Sequence, residues 1–228
     1  MRKKEKGLRN EEKGLRNEEK GSKLKNKTID IISLGCSKNL VDTERLMGAL
    51  EAQGWTCRHD PSRLSGEIAI VNTCGFIGDA KEESIQTILQ LVERKQKGQL
   101  KQLYVMGCLS QRYLNELTTE IPEVDGFFGK FNYLELAERL RGGEAERPEI
   151  PEIPVIPVNP VTRKLTTPKH YTYIKISEGC NRMCSYCAIP LITGRHVSRP
   201  EVEILQEVQT LAAQGVKEFN IIAQDLSS

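Results

Sequence analysis

Glu67-Ile68-Ala69-Ile70-Val71-Asn72-Thr73-Cys74-Gly75 is a short apolar run that closes on polar residues, a cysteine and a glycine. Its apolar residues are consecutive, not alternating. Glu67–Asn72 therefore reads as a strand buried on both faces, as in a parallel sheet covered by helices. The flanking chain supplies those helices. Downstream, a helix is predicted from about Ala80 to Lys95, with Asp79 as cap and Glu82 three residues on. Upstream, strand-like Thr28–Leu34 leads to a helix over Leu40–Gln53, with Asn39 as cap and Gly54 as stop, and then a short strand Trp55–His59. Further along come strand Gln102–Met106, helix Gln111–Glu120, strand Val124–Phe128 and helix Tyr133–Arg141. Strands alternating with helices predict an α/β fold, a doubly wound parallel sheet.

The pattern then changes. Pro148, Pro151, Pro154, Pro157 and Pro160 recur at every third residue, the habit of an extended polyproline-like connector. A second unit begins near Thr167. It reads as strand Tyr171–Ser177, a cysteine loop, helix Pro200–Gln214 and strand Glu218–Ala223, with Ser198 and Glu201 as a capping box and Gly215 as the stop. That is one βαβ unit, and a barrel on the same plan needs several more. The predicted organisation is a tail at 1–26, an α/β domain at 27–143, a Pro-rich linker at 144–166 and the barrel start at 167–228.

Charge excludes one class of partner. The chain has a formal net charge of +2, but residues 1–26 hold ten Lys/Arg against five Glu, so the remainder is −3. The folded part thus lacks the basic footprint of a nucleic-acid binder. Within the tail, Glu5–Glu11 (EKGLRNE) is repeated at Glu12–Glu18. Each copy has one Leu and a Gly, too little for a coiled-coil seam, so the tail is expected to be disordered. No apolar run approaches the roughly 20 residues of a membrane span, and the charged N-terminus has no secretory h-region. Seven cysteines without an export signal imply a cytoplasmic protein whose thiols ligate metal rather than pair.

Six of the seven cysteines fall into two trios. Cys180, Cys184 and Cys187 form a Cys-x₃-Cys-x₂-Cys run directly after the strand-like Tyr173–Ser177. Three thiolates on one short loop can hold three irons of a four-iron cluster and leave the fourth open to a ligand. Structural zinc is the competing reading, but zinc takes four ligands, usually in paired short spacings. Cys36, Cys74 and Cys108 each lie just past a predicted buried strand and before a helix. The carboxyl ends of parallel strands share one edge, where ligands gather. Gly35, Gly75 and Gly107 would let backbone approach a bulky inorganic group. Taken singly, each of these cysteines would read as core; the recurrence of one context favours a metal site. Cys57 lacks that context and reads as core.

The motifs SLGCSKN-x-VDTE at Ser33–Glu44, VNTCGFI at Val71–Ile77, MGCLSQRY at Met106–Tyr113 and ISEGCNRMCSYCAIP at Ile176–Pro190 closely resemble the radical S-adenosylmethionine methylthiotransferases. The resemblance runs from about Asp30 to Ser228. Gly35-Cys36-Ser37-Lys38-Asn39, TTPKHYTYIKISEGC at Thr166–Cys180 and AQD at Ala223–Asp225 are similar to the branch that methylthiolates the β-carbon of an aspartate in a small-subunit ribosomal protein. A sibling branch modifies a tRNA adenosine and typically has a Gln-Met-Asn flavour at the first motif.

The resemblance implies two 4Fe-4S clusters. Cys180, Cys184 and Cys187 would hold the one that chelates and cleaves S-adenosylmethionine. Cys36, Cys74 and Cys108 would hold the one that supplies or presents sulfur. Tyr186 would pack near the adenine, and Gln224 and Asp225 would contact the cofactor's methionine amine, although shielding and an ordinary polar strand end explain them equally well. Arg182, Arg195 and Arg199 could meet a carboxylate; solvated charge is the default. His59, His170 and His196 show no ligand spacing. Lys38 and Asn39 mark the family without an evident role. The implied partners are the ribosomal-protein substrate and an electron donor, with no membrane. Relatives of this kind continue through further barrel units and a small β-barrel, so the expectation is a truncated chain. The alternatives are the tRNA-modifying sibling and a non-catalytic iron–sulfur fragment.

Overall fold

The computed structural model describes residues 27–142 and 163–227. The repeated tail and most of the Pro-rich segment lie outside the described residues. The first half is a five-stranded, all-parallel sheet of β1 (Thr28–Ser33), β2 (Thr56–His59), β3 (Ile68–Thr73), β4 (Gln102–Gly107) and β5 (Gly126–Phe127). Strand order is β2-β1-β3-β4-β5, a doubly wound topology that reverses direction at β1/β3. Helices α1 (Ser37–Ala52), α2 (Gly78–Gln96), α3 (Cys108–Arg112), α4 (Leu114–Glu120) and α5 (Tyr133–Leu140) connect the strands and follow the last one.

Residue parity explains why both faces need cover. Ile68 and Ile70 of β3 join Tyr104 and Met106 of β4, with Leu46 and Met47 of α1 and Leu136 of α5, in one core. Ala69 and Val71, with Leu103 and Val105, point to the opposite face and meet Ile88 and Leu91 of α2 and Leu117 of α4. Successive side chains of a strand alternate between faces, so a consecutive apolar run buries both.

The second half contains β6 (Tyr171–Lys175), β7 (Ser177–Glu178), α6 (Ile189–Thr193), β8 (Val197–Ser198), α7 (Glu201–Ala213) and β9 (Glu218–Ile222). Strands β6 and β9 pair in parallel across α7, which is the expected βαβ unit. Ile174, Leu211 and Val216 form its small core.

Several predicted caps are not used. Helix α1 begins at Ser37, three residues early, so Asn39 lies inside its first turn and is spent elsewhere. Helix α2 starts after Ile77 with no side-chain cap, which leaves Asp79 in the first turn, where its charge suits the helix dipole. Ser198 cannot cap α7 as predicted, because it is paired with Ser177 in the antiparallel β7–β8 ladder. The predicted single helix over 111–120 is two, broken where Tyr113 (φ −126°, ψ 35°) leaves helical geometry. Strand β5 is shorter than predicted, since the Asp125 carboxylate accepts the Leu103 N–H (2.7 Å) beside it.

The two halves are joined by charge. Arg163 donates to Glu44 of α1 (Nη2–Oε2, 2.5 Å), to Glu207 of α7 (Nη1–Oε1, 2.6 Å) and to the Tyr173 carbonyl (2.8 Å). The other Glu44 oxygen accepts the Thr166 N–H (2.7 Å) and hydroxyl (2.9 Å). Arg199, one of the arginines considered as a carboxylate binder, donates to Glu207 (2.7 Å) and to the Lys175 carbonyl (2.7 Å), so it belongs to this clamp. Removing one member of a buried pair strands the other, so Arg163→Met is expected to cost about 3–5 kcal/mol in denaturant melts.

The clamp also carries a pH dependence. Burial alone would raise the Glu207 pKa, but Arg163, Arg199 and Arg45 together hold it below the ordinary 4.5. Its contribution is complete above that ordinary value and disappears as pH falls through the lower folded one. Acid titration should therefore loosen the wild type and leave a Glu207→Gln variant less sensitive.

Candidate functional site

Three cysteines of the first half stand at level strand ends. In the register of β1, β3 and β4, Ser33 is opposite Asn72 and Asn72 opposite Met106. Cys36, Cys74 and Cys108 follow those rows on three adjacent strands. The three loops are packed against one another. A Cβ on Gly75 would lie 2.8 Å from the Cys108 carbonyl carbon and oxygen, and one on Gly107 (φ +106°) 2.6 Å from the Thr73 carbonyl oxygen. These glycines permit backbone to meet backbone, whereas the sequence suggested backbone meeting an inorganic group.

Asn39 is the hub of this edge. Its Nδ2 donates to the Leu34 carbonyl (3.0 Å) and the Thr73 carbonyl (2.9 Å), and the Cys108 thiol donates to its Oδ1 (3.5 Å). Its own backbone carbonyl accepts from Asn72 Nδ2 (2.8 Å). One side chain thus touches all three cysteine-bearing loops. Ser84 of α2 adds support by accepting the Cys74 N–H (3.1 Å). Cys36 is exposed and the other two half-buried. Burial pushes the Cys108 thiol up to about 12, and Lys130 opposes that shift. Outer-shell residues of this kind are worth roughly 10–100-fold in metal affinity. Were Cys36, Cys74 and Cys108 to hold a cluster, Asn39→Leu would lower its iron retention by that order, read as iron per chain after gel filtration.

The second trio follows β7. Gly179 has φ +73°, and a Cβ there would lie 2.1 Å from the Arg195 carbonyl oxygen, so only glycine lets the chain turn into the loop at this point. The Cys180 N–H donates to the Gly194 carbonyl (3.2 Å) and the Cys187 N–H to the Cys184 carbonyl (3.1 Å). Cys180 also accepts the Arg182 N–H at Sγ (3.4 Å). Cys184 is exposed, Cys180 and Cys187 half-buried.

The predicted cofactor residues are placed unequally. Asp225, just past β9, is engaged on both oxygens. Oδ1 accepts the Ser227 N–H (3.0 Å) and hydroxyl (2.8 Å), and Oδ2 accepts Arg182 Nε (3.0 Å). Ser227 first, then Arg182, hold its carboxyl well below the usual range. Gln224 donates through Nε2 to Glu178 (3.0 Å), while its buried Oε1 has no hydrogen-bond partner among the described residues. Tyr186 is 90% exposed and Met183 89%, so neither is part of a packed pocket wall. His59 sits beside Asp60 and His170 against Tyr171. Cys57 is core, as expected, and burial raises its thiol to about 12.

Sequence reading missed four residues. Asp42 of α1, Lys130 after β5, Lys175 of β6 and Glu178 of β7 form a sealed cluster, every side chain at most 3% exposed. Lys130 bonds Glu178 (2.6 Å) and lies 3.7 Å from Asp42. Lys175 bonds both acids. Glu178 burial is overcome by Lys130 and Lys175, which keep its carboxyl well below normal. Asp42, Lys175 and Glu178 fall inside the quoted motifs, whereas Lys130 falls outside all of them.

Among the described residues no three His, Cys, Asp or Glu side chains converge closely enough to bind one bare metal ion. A four-iron cluster asks for something else, because each thiolate goes to a different iron. The all-thiol donor sets, the shared strand edge of the first trio and the six free cysteines outside the core fit that requirement.

Residues 28–129 match the Uncharacterized protein family UPF0004, and residues 174–226 match the Radical SAM superfamily. Over 204 residues, 90% of this chain, it is 60% identical to the ribosomal protein uS12 methylthiotransferase RimO of Phocaeicola vulgatus. These matches make the chain similar to radical SAM methylthiotransferases over nine-tenths of its length. The RimO proteins of Porphyromonas gingivalis and Cytophaga hutchinsonii are 52% and 42% identical over 90% and 87% of the chain. The chain spans only 45%, 44% and 43% of the lengths of those three relatives. A solved structure of the radical S-adenosylmethionine methyltransferase TsrM from Kitasatospora setae, with tryptophan and a SAM analog bound, superposes with a TM-score of 0.55 at 15% identity. It covers 88% of this chain and 48% of TsrM, a likeness of fold. None of the described helices is long and apolar enough to cross a membrane.

Proposed function

We propose that this chain carries the cofactor-holding parts of an enzyme that methylthiolates the aspartate β-carbon of a small-subunit ribosomal protein, the uS12 named for its relatives. The observation that supports it is the presence in one chain of two cysteine trios, one at the edge where β1, β3 and β4 end and one on the loop after β7. Cys180, Cys184 and Cys187 would hold one 4Fe-4S cluster, and Cys36, Cys74 and Cys108 a second. Clusters so held supply, when bound, one-electron cleavage of S-adenosylmethionine at an open iron and a source of sulfur.

The remaining chemistry belongs to the chain. Gln224 offers a buried acceptor without a donor, and the amine of the cofactor's methionine is a donor of the right kind. Asp225 works differently from the sequence expectation. With both oxygens taken, it orients Arg182 and the first turn of the cysteine loop. Tyr186 is free to close over a bound nucleoside. Reducing power comes from an external donor, in keeping with a cytoplasmic setting where these thiols stay unpaired.

The test is anaerobic reconstitution with iron and sulfide, followed by assay of 5′-deoxyadenosine release from S-adenosylmethionine under reductant. Mass spectrometry then compares methylthio adducts on ribosomal protein and on tRNA. A tRNA adduct moves the chain to the sibling activity. A colourless protein that binds no iron ends the reading.

A further inference from the structure

Among the described residues, the sealed cluster of Asp42, Lys130, Lys175 and Glu178 joins buried charge from both halves, close in the chain to cysteines of both trios. Asp42 lies on α1, the helix whose first turn follows Cys36. The Lys130 N–H donates to Gln111 (3.0 Å) of α3, the helix that begins at Cys108. Glu178 is two residues before Cys180 and also grips Gln224 (3.0 Å). Helix α3, which begins at Cys108, packs on α6, which follows Cys187 closely. We infer that these four residues fix the separation and orientation of the two trios, with Lys130–Glu178 as the bond that couples them. The inference rests on the two-cluster reading above.

The cluster's cost argues for a role beyond adhesion. Buried ion pairs are weak sources of stability compared with packed apolar residues. The Arg163–Glu44–Glu207 clamp already joins the halves. What the second network adds is rigid, directional geometry at the strand edges, since each acid meets lysines from opposite halves and cannot slide without losing a partner. These are positioning residues, which touch neither cofactor nor substrate.

A neutral excision tests this. Asp42→Leu with Lys130→Met removes one acid and one base together and leaves Lys175 and Glu178 paired within their own half, so no buried charge is stranded. The readout is the magnetic coupling between the two reduced clusters in the electron paramagnetic resonance spectrum of the iron-loaded chain. Iron content and 5′-deoxyadenosine release are followed in parallel. The double variant should keep both clusters and cleave the cofactor within about threefold of wild type, because the replacement is apolar and filled. It should lose the defined coupling, while Lys130→Arg, which preserves the charge, retains it. Unchanged coupling in the double variant overturns the inference. So does an equal loss in Arg163→Met, which would make any interdomain loosening sufficient. Failure of the wild type to take up two clusters sinks the functional reading and this inference together, and iron analysis of the wild type alone identifies that case.

Discussion

Cys184→Ala is expected to reduce cleavage of S-adenosylmethionine by the iron-loaded chain by more than about 100-fold, beyond what loss of an outer-shell partner costs. The reason is stoichiometric. The loop carries three thiols, and two cannot keep a cluster that needs three anchored irons to leave one open. The side chain is exposed, and the backbone carbonyl that receives the Cys187 N–H is untouched by the substitution. Surface changes away from packed features usually stay within about 0.5 kcal/mol. Thermal melts of the apo protein should therefore overlay those of the wild type. A variant with normal melting but no 5′-deoxyadenosine isolates the ligand role, and normal 5′-deoxyadenosine would remove Cys184 from the site.

Cys74→Ala should divide the reaction. Cofactor cleavage survives because the second trio is intact, whereas methylthio transfer to the ribosomal protein falls below detection and iron per chain drops by about half, one of two clusters being lost. The main chain at residue 74 is held by Ser84 and by the close approach of neighbouring loops, so the strand edge keeps its shape without the thiol. Full product formation by this variant would refute any role for the first trio. Parallel loss of cleavage would mean that the two sites are not separable.

The sheet was legible because burial on both faces leaves a mark: consecutive apolar residues at 68–71 and 103–106 can satisfy neither helix nor half-buried strand. The shared edge of Cys36, Cys74 and Cys108 was legible for a related reason, since strand ends in a parallel sheet fall on one side, whereas Cys180, Cys184 and Cys187 stood out by spacing alone. Helix caps were not. Asn39 is a good cap residue by type, but two carbonyls from loops 34 and 73 compete for its amide and win. The buried ion cluster left no periodic trace either. Asp42 meets Lys175 across 133 positions, and although both stand in quoted motifs, no spacing announces that they pair. Long-range pairing of that kind is written in the fold rather than in spacing.

Asp42 and Lys130 emerge from synthesis well before Lys175 and Glu178. Within this cluster each half therefore brings one anion and one cation, so neither doublet carries a net charge before the two meet. The seam can close late, after the earlier sheet is complete, by exchanging partners between two already balanced doublets. At this cluster a protein assembled in that order stays electrically balanced while the rest of the chain is still arriving.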